Sequence, residues 1–385
     1  MKNKLMLFLS HFLVGLLAVG ATLLIVMWYP NDSYSKLDEL EDLISEKFIG
    51  EVDKTAMEDA AASAMINALG DSWSYYIPAK DFSAYEDQRG NVYVGIGVTI
   101  SLTADGTGFE VEKVVAGAPA EEADIRVGDV IIAVEGKYVS EIGANNARDM
   151  IRGEEGTKVQ LTILRDGKEI IIPVTRKQFQ TPVATYEMLP ENVGLITIDN
   201  FDDRCASETL EAIEALLEQG ATKLIFDVRY NPGGYRRELV KVLDRLVPEG
   251  LIFRSEYYDG TVVEHNSDAK ELNVPMAVLV NADSYSAAEF FAAALRDYDK
   301  AIIVGQKTCG KGYFQNTFKL SDGSAVGLST GKYYTPKGVS LAGVGITPDI
   351  VVDNLSIEIQ QGIYYGTLDP MKDPQILAAI EGLKQ

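Results

Sequence analysis

Ser286 and Lys311 have the residue types and the local sequence of a two-residue nucleophilic site. Ser286 follows a run of apolar residues, 276–280, that predicts a buried strand, and it lies at the start of helical apolar spacing over about 285–297. Unpaired amides and the macrodipole at a helix start favour negative charge. The sequence therefore predicts that Ser286 is placed as a nucleophile.

Lys311 stands between Gly310 and Gly312, after a second apolar run at 301–305 that also predicts a strand. Glycines let the backbone turn sharply and let another segment approach closely. Burial disfavours the ammonium form of a lysine, and the neutral amine is a good base. We therefore expect the Lys311 amine to remove the hydroxyl proton of Ser286. An ordinary helix-start serine and a solvated loop lysine remain the alternative.

The chain has two histidines, so a Ser-His-Asp triad has few candidates for its base. His11 lies in the apolar N-terminal segment, and His265 follows residues 261–264 in a predicted hairpin. No H-E-x-x-H or G-K-[ST] motif occurs, so we expect no metal, no nucleotide loop and no cofactor. The formal net charge of -22 argues against a nucleic-acid partner, because phosphate binding needs clustered lysine and arginine.

Residues 5–29 form an uncharged, largely apolar run that is long enough to cross a bilayer as one helix. Lys2 and Lys4 precede this run and favour a cytoplasmic N-terminus. We expect an uncleaved, single-pass anchor in the cytoplasmic membrane, with the catalytic part on the extracytoplasmic side. A cleaved signal peptide is the alternative, although the run exceeds a usual signal-peptide core and shows no clear A-x-A site.

Three segments with different sequence patterns follow the apolar run. Residues 31–90 have helical spacing with too few apolar positions for a core of their own, so they must pack on a neighbour or on a second copy. Residues 91–178 consist of short β-rich runs separated by Gly, Asp and Pro turns. From residue 179 to residue 354 strands alternate with helices, which predicts an α/β core.

Within that core, a strongly apolar strand at 223–228 leads into Asn231-Pro232-Gly233-Gly234, and a helix is expected over 235–247. Two glycines between a buried strand and a helix allow a backbone amide to face a reacting carbonyl without an intervening side chain. A simple tight turn is the alternative.

The chemical residues stand in two motifs, S-x-S-x-x-E around Ser286 and G-K-G around Lys311, with Gln315 four residues after the lysine. These motifs and their spacing resemble the catalytic region of the carboxyl-terminal processing proteases, also called tail-specific proteases. The resemblance implies a serine endopeptidase with a Ser/Lys dyad, in which Gln315 holds Lys311 by a hydrogen bond. It also implies a homodimer formed through the helices of residues 31–90.

The same resemblance bears on the loop at 227–234, which is similar to the D-x-R-x-N-x-G-G motif of these proteases. In the family this motif borders the active site. An oxyanion hole is therefore implied, made by the amide of Gly233 or Gly234 together with the amide of Ala287.

The β-rich segment resembles a PDZ domain, through the run at 93–98 and the runs G-A-P-A at 117–120 and V-G-D-V-I at 127–131. Consecutive amides there can form a nest for a peptide carboxylate, and the following strand offers an open edge to which a peptide can add. We expect peptide binding at Val94, Gly95, Ile96, Gly97 and Val98.

The sequence predicts an α+β multidomain protein with an N-terminal membrane helix (1–30), a helical region (31–90), a β-domain (91–178), an α/β core (179–354) and a tail (355–385) that joins a subunit contact. The resemblance implies that residues 31–90 form the dimerisation region, that residues 91–178 are a PDZ domain and that residues 179–354 are a crotonase/ClpP-like protease core. The implied function is cleavage of protein substrates near their free C-termini, with a PDZ domain that binds the tails and gates activity. A non-catalytic PDZ scaffold for envelope proteins is one alternative. An acyl-transfer enzyme on a crotonase-like core is another.

Overall fold

The computed structural model describes residues 11, 13–15, 19–20, 35–268 and 270–384. The chain divides into two compact units, residues 1–65 and 66–385. The first unit contains helix α1 (Ser35–Lys47) and most of helix α2 (Lys54–Asn67). Most of the expected anchor at 5–29 lies outside the described residues. Within the described ranges, no helix combines the length and the apolar character needed to span a bilayer.

The first half of the second unit is predominantly antiparallel β-structure. Its elements are β1 (Tyr75–Ile77), α3 (Ala79–Arg89), β2 (Val92–Gly95), β3 (Val98–Leu102), β4 (Phe109–Val114), α4 (Pro119–Glu122), β5 (Val130–Val134), β6 (Lys137–Tyr138), α5 (Val139–Ile142), α6 (Ala144–Ile151), β7 (Lys158–Arg165), β8 (Lys168–Thr175) and β9 (Lys177–Gln180). Strands β3, β4, β5, β7 and β8 lie side by side in that order, β6 pairs with β5, and β2 pairs with β9 in a separate ribbon.

This β-domain has its own hydrophobic core. In β7 the buried residues Val159, Leu161 and Ile163 alternate with more exposed positions, as expected for a strand with one face covered. They pack with Phe109 and Ile131 from β4 and β5. Strand β3 pairs with β4 and, among the described residues, has no partner on its other side, so it forms an edge of the sheet.

The second half alternates strands and helices. Its elements are β10 (Ala184–Leu189), a 3-10 turn (Pro190–Asn192), β11 (Val193–Ile198), α7 (Cys205–Glu218), β12 (Lys223–Asp227), α8 (Arg236–Leu246), β13 (Gly250–Tyr257), β14 (Val262–Ser267), β15 (Met276–Val280), α9 (Ala287–Asp297), β16 (Ala301–Gly305), β17 (Tyr313–Lys319), β18 (Ala325–Tyr334), β19 (Ile350–Val351), α10 (Ile357–Tyr365), a 3-10 turn (Pro370–Lys372) and α11 (Pro374–Gly382).

Six of these strands form the central sheet, in the order β10-β11-β12-β15-β16-β19. The last five run parallel and β10 is antiparallel to β11. Phe226 and Val278 face one side of the sheet, where α7, α8 and α9 cover them, and Ile225 and Leu279 face the other side, where α11 covers them. Burial on both faces explains why these strands are continuous apolar runs.

The parallel arrangement determines where the functional loops lie. Strands β12, β15 and β16 are neighbours, and they are followed by the 227–234 loop, the Ser286 turn and the Lys311 loop respectively. Because parallel strands end at the same edge of a sheet, the three loops leave the core together. The predicted strands at 276–280 and 301–305 are confirmed. Helix α9 begins at Ala287, two residues later than expected, because Ser286 is not helical.

A second, antiparallel sheet lies in the same unit, with the order β1-β18-β13-β14 and with β17 paired to β18. Strand β17 follows Lys311 directly, so this sheet determines where the chain goes after the lysine loop. The whole is a mixed α/β multidomain fold.

Candidate active site

Ser286 caps helix α9 in a strained conformation, with φ 59° and ψ -122°. A positive φ is uncommon for a residue with a side chain and persists only where the surroundings enforce it. The amide of Tyr285 donates to the carbonyl of Asn231 (3.2 Å), and the buried hydroxyl of Ser284 donates to the carbonyl of Val228 (2.7 Å). The turn is therefore fixed on the neighbouring 227–234 loop. A strained serine between a strand and a helix is typical of a nucleophile.

The glycines beside Lys311 are required by close packing. Gly310 has φ 90°, and a Cβ built on Gly312 would lie 2.3 Å from the amide nitrogen of Ala342. The carbonyl of Gly310 accepts a hydrogen bond from the amide of Gly343 (2.8 Å). The predicted close approach of another segment is thus confirmed, and it holds the lysine loop in place.

One buried carboxylate joins the serine turn to the lysine loop. Oε1 of Glu289 accepts hydrogen bonds from Thr308 Oγ1 (2.6 Å) and from the amide of Gly310 (2.7 Å). Oε2 accepts from the amides of Ser286 (3.0 Å) and Lys311 (2.8 Å). Burial raises the pKa of Glu289 above its ordinary value, although the four donors act in the opposite direction. Glu289 therefore sets the relative position of the two candidate catalytic backbones.

The side chain of Lys311 has an aromatic environment. Its Nζ lies 4.4 Å from the ring centroid of Trp73 and 5.5 Å from that of Tyr285. Burial, assisted by the positive charge of Arg89, lowers the pKa of Lys311 to about 8. A substantial fraction of the amine is thus neutral at mildly alkaline pH, as a general base requires.

Ser286 and Lys311 line one cavity of about 720 Å³, together with Gly234 and Gln315. Among the described residues no hydrogen bond joins Ser286 Oγ to Lys311 Nζ. The rest of the wall is largely aromatic and cationic, and includes Tyr75, Phe82, Tyr85, Arg89, Tyr235, Arg236, Arg237, Tyr285, Phe314, Lys319 and Tyr333.

Gln315 shares the cavity but does not form its expected hydrogen bond with Lys311. Its Nε2 donates to Ser329 Oγ at 2.9 Å. The physical reason is the strand register, since Gln315 on β17 lies directly opposite Ser329 on β18. Cross-strand pairing therefore gives the side-chain amide of Gln315 a partner other than the lysine.

The two glycines of the loop at 227–234 differ in whether their backbone amides already have an acceptor. The amide of Gly233 donates to Oδ1 of Asn231 (2.8 Å), so that donor is already used. The amides of Gly234 and Ala287 have no acceptor in the described part of the chain. Gly233 has φ 88°, and a Cβ there would lie 2.8 Å from the Cβ of Ser286. Gly233 thus allows close packing against the serine, whereas Gly234 and Ala287 keep free donors.

The expected peptide-binding residues lie where β2 passes into β3. Val94 and Gly95 are in β2 and pair with β9, and Val98 begins the edge strand β3. Ile96 is buried, and its carbonyl accepts a hydrogen bond from the amide of Ala120 (2.7 Å). Gly97 has φ 80°, a conformation that favours glycine.

Sequence reasoning did not assign a role to Glu289 or to Trp73. A signal for Glu289 was present, because it is the charged residue in the otherwise apolar run A-A-E-F-F-A-A-A-L that begins α9. A charge inside a buried apolar helix indicates paired hydrogen bonds. Trp73 gave no comparable signal, since its contact with Lys311 depends on the tertiary fold.

His265 lies in β14, its ring centroid 4.8 Å from that of Phe253, and it does not line the cavity. No group of three or more His, Cys, Asp or Glu side chains within the described ranges could hold a metal ion.

A strained serine and a lysine of lowered pKa lie at one edge of a parallel sheet, an arrangement that a serine hydrolase with a lysine base would require. Residues 192–352 match the model of peptidase family S41, and residues 110–165 match the model of the PDZ domain. Residues 192–352 thus resemble peptidase family S41, and residues 110–165 resemble a PDZ domain.

Individual proteins of known sequence are similar to most of this chain. The chain is 30% identical over 327 residues to a "Probable CtpA-like serine protease" of Staphylococcus aureus (strain COL), a match that covers 84% of this chain and 65% of that protein. It is 28% identical over 359 residues to a protein of the same name from Staphylococcus saprophyticus subsp. saprophyticus, covering 88% and 72%. The chain thus spans slightly under two thirds of the Staphylococcus aureus relative.

A solved structure of a photosystem II D1 C-terminal processing protease is 27% identical to this chain, with a TM-score of 0.50. The superposition covers 82% of this chain and 86% of that one. The likeness therefore extends over most of both chains.

Proposed function

We propose that this protein is a serine endopeptidase that cleaves protein substrates near their C-termini. The observation that carries the proposal is the joint fixation of Ser286 and Lys311 by Glu289, in one cavity, with the pKa of Lys311 lowered to about 8. The match of residues 192–352 to the model of peptidase family S41 and the names of the similar proteins support the same reaction.

In the proposed reaction, Ser286 Oγ attacks the peptide carbonyl carbon while the neutral Lys311 amine accepts its proton. The free amides of Gly234 and Ala287 receive the resulting oxyanion, where one such donor contributes roughly 3 to 4 kcal/mol to the transition state. Collapse breaks the C–N bond, and the Lys311 ammonium protonates the leaving amine. Water then releases the acyl group by the same steps in reverse.

Lys311 Nζ must move within hydrogen-bond distance of the Ser286 hydroxyl in this mechanism. Rotation about the flexible lysine side chain is sufficient, because the backbones of both residues are already fixed. We assign to Gln315 the orientation of the lysine amine once a substrate has displaced its bond to Ser329.

The PDZ domain supplies the proposed selection of C-terminal tails. A peptide can add to the unpaired edge of β3, and its terminal carboxylate can bind the amides around Gly95, Ile96 and Gly97. Because the domain and the active site are on one chain, delivery of the tail is coupled to cleavage and gates it.

We further propose that residues 5–29 anchor the enzyme in the cytoplasmic membrane with its catalytic part outside, and that residues 31–90 form a homodimer. The uncharged run and the preceding lysines support the anchor. The apolar side chains Leu40 and Leu43 of α1, each about half exposed, support a contact with a second copy.

The test uses Ser286→Ala and Lys311→Ala in the full chain, with hydrolysis of a protein substrate as the readout. Both variants should lose turnover and retain the wild-type thermal unfolding temperature. A fluorophosphonate should label the wild type and not Ser286→Ala. Ser321→Ala and Lys337→Ala, both at exposed positions, serve as matched controls. Normal turnover by either dyad variant would exclude the mechanism, and tail binding without cleavage by the wild type would favour a scaffold.

A further inference from the structure

The active-site cavity is cationic, although the protein as a whole is strongly acidic, with a formal net charge of -22. Among the residues that the structure describes, Glu86 is the one acidic residue that lines the cavity. Five basic residues line it, namely Arg89, Arg236, Arg237, Lys311 and Lys319. Such a concentration of one sign of charge in a concave site focuses the electric field and favours an oppositely charged ligand.

Three of the five cations are paired with carboxylates of the protein. Arg89 Nη1 lies 2.7 Å from Asp202, Arg237 is paired with Asp203, and Lys319 Nζ lies 3.3 Å from Glu86. Lys311 is the proposed base. These four side chains therefore have roles within the molecule.

Arg236 is different. Its Nη1 donates to the hydroxyl of Tyr257 at 3.1 Å, and no described carboxylate lies within ion-pair distance of its guanidinium. Arg236 is also the first residue of helix α8, where the helix dipole disfavours a positive side chain. A half-buried guanidinium with one neutral acceptor leaves most of its donors available to a ligand.

The surroundings of Arg236 indicate what kind of ligand fits. Its partner Tyr257 packs edge-on against Phe314, with ring centroids 4.9 Å apart, and Phe314 stacks on Tyr333 at 4.6 Å. Phe314 and Tyr333 line the same cavity as Arg236. An aromatic wall beside a guanidinium suits an apolar stem that ends in a carboxylate, because arginine binds carboxylates in bidentate geometry.

Arg236 is also close in sequence to the chemistry, two residues after Gly234, whose amide is assigned to the oxyanion. The two other arginines of the cavity, Arg89 and Arg237, are held elsewhere, since both stack on the ring of Tyr235, at 4.1 and 3.9 Å from its centroid. The cation left for a substrate is therefore the one next to the proposed oxyanion loop.

We propose that Arg236 binds a carboxylate of the substrate, so that the enzyme prefers peptides with an acidic group next to the scissile bond. This inference rests on the proposed peptidase function and names the substrate class of the same site. The carboxylate can come from an Asp or Glu side chain or from the C-terminus of the substrate, and both present the same two oxygens to the guanidinium.

The experiment compares matched peptides in the full-length enzyme. One arm replaces Gln by Glu at each position flanking the cleaved bond, with the C-terminus amidated. The other arm keeps neutral side chains and compares a free with an amidated C-terminus. In one of the two arms, the wild type should cleave the peptide that carries the carboxylate with a kcat/KM about 10-fold or more above that of its neutral counterpart. The arm that shows this preference identifies whether the carboxylate comes from a side chain or from the C-terminus.

Substitution at position 236 then tests the residue. Arg236→Gln should bring the ratio close to one, and Arg236→Lys should retain an intermediate preference because it keeps charge without the planar fork. Arg237→Gln is the matched control on the same helix and cavity wall, and it should keep the wild-type ratio. A ratio near one in both arms for the wild type, or an unchanged ratio in Arg236→Gln, would overturn the inference.

Binding to the Ser286→Ala variant separates this inference from the proposed function. Fluorescence anisotropy with the same peptides should show tighter binding of the carboxylate-bearing member, by about 10-fold, and the double variant with Arg236→Gln should lose the difference. If no peptide is cleaved by the wild type, the peptidase proposal fails while anisotropy still decides the role of Arg236. Equal binding of both peptides would refute that role.

Discussion

The Ser286 turn and the Lys311 loop are held alike through their backbones and differently through their side chains. Both backbones donate to the same carboxylate oxygen of Glu289. The Ser286 side chain sits on a strained turn at the mouth of α9, whereas the Lys311 amine rests on Trp73 and Tyr285. Hydrogen bonds thus determine where the two residues lie, and the apolar, aromatic surroundings determine the protonation of the lysine.

The largest effect is expected from removing the Glu289 carboxylate, which both backbones share as a hydrogen-bond acceptor. Glu289→Ala leaves four donors, all buried or partly buried, without an acceptor, so we expect a stability loss of roughly 3 kcal/mol or more and at least about a 100-fold fall in kcat/KM. Glu289→Gln should also fail, because its amide group turns N–H donors toward two of the protein's own donors. Denaturant unfolding and peptide hydrolysis measure both effects.

Glu211→Ala is the control for this prediction, since Glu211 is exposed on helix α7. It should change neither quantity. If Glu289→Ala kept wild-type stability and turnover, the carboxylate would not be what positions the two loops.

Gly233→Ala should disturb the Ser286 turn without touching the lysine loop. The new Cβ would lie 2.8 Å from the Cβ of Ser286, on a residue with φ 88°. We expect about a 100-fold loss of kcat/KM and a stability loss of roughly 1 to 2 kcal/mol. Gly220→Ala is the matched control, because Gly220 has φ 95° with nothing within 4 Å of its Cβ. It should show a similar stability loss with unchanged turnover. Equal activity in the two variants would contradict the contact.

The pH dependence of kcat/KM tests the role that the surroundings of Lys311 have in its protonation. Lys311 must be neutral to act, so wild-type kcat/KM should rise with pH through about 8. Trp73→Ala admits water, which favours the ammonium form and moves this limb to higher pH. Trp73→Leu keeps an apolar cover but removes the attraction of the ring for the cation, and moves the limb to lower pH. Shifts of about half a pH unit or more are expected in pH profiles of kcat/KM.

Phe82→Leu is the matched control for the tryptophan, because the Phe82 ring lies 4.3 Å from Nζ of another lysine, Lys319. It should leave the limb unchanged. Shifts of the two Trp73 variants in the same direction would mean that the ring acts only through burial.

Part of the candidate site could be predicted from the sequence, and part depends on the tertiary fold. The strands at 276–280 and 301–305 could be predicted because a buried parallel strand is a local apolar run, and Ser286 and Lys311 follow from their positions after those runs. The contact of Trp73 with Lys311 and the pairing of Gln315 with Ser329 could not, because they depend on how β17 and β18 pair and where distant loops pack.

Glu289 also has a consequence for how such an enzyme can be silenced. Moving the lysine loop away from the serine turn would take three of the four hydrogen-bond donors from the Glu289 carboxylate, those of Thr308, Gly310 and Lys311, so separating the two segments is strongly disfavoured. An off state of this molecule is therefore reached by turning the lysine amine, or by blocking the entrance, while the catalytic scaffold itself stays assembled.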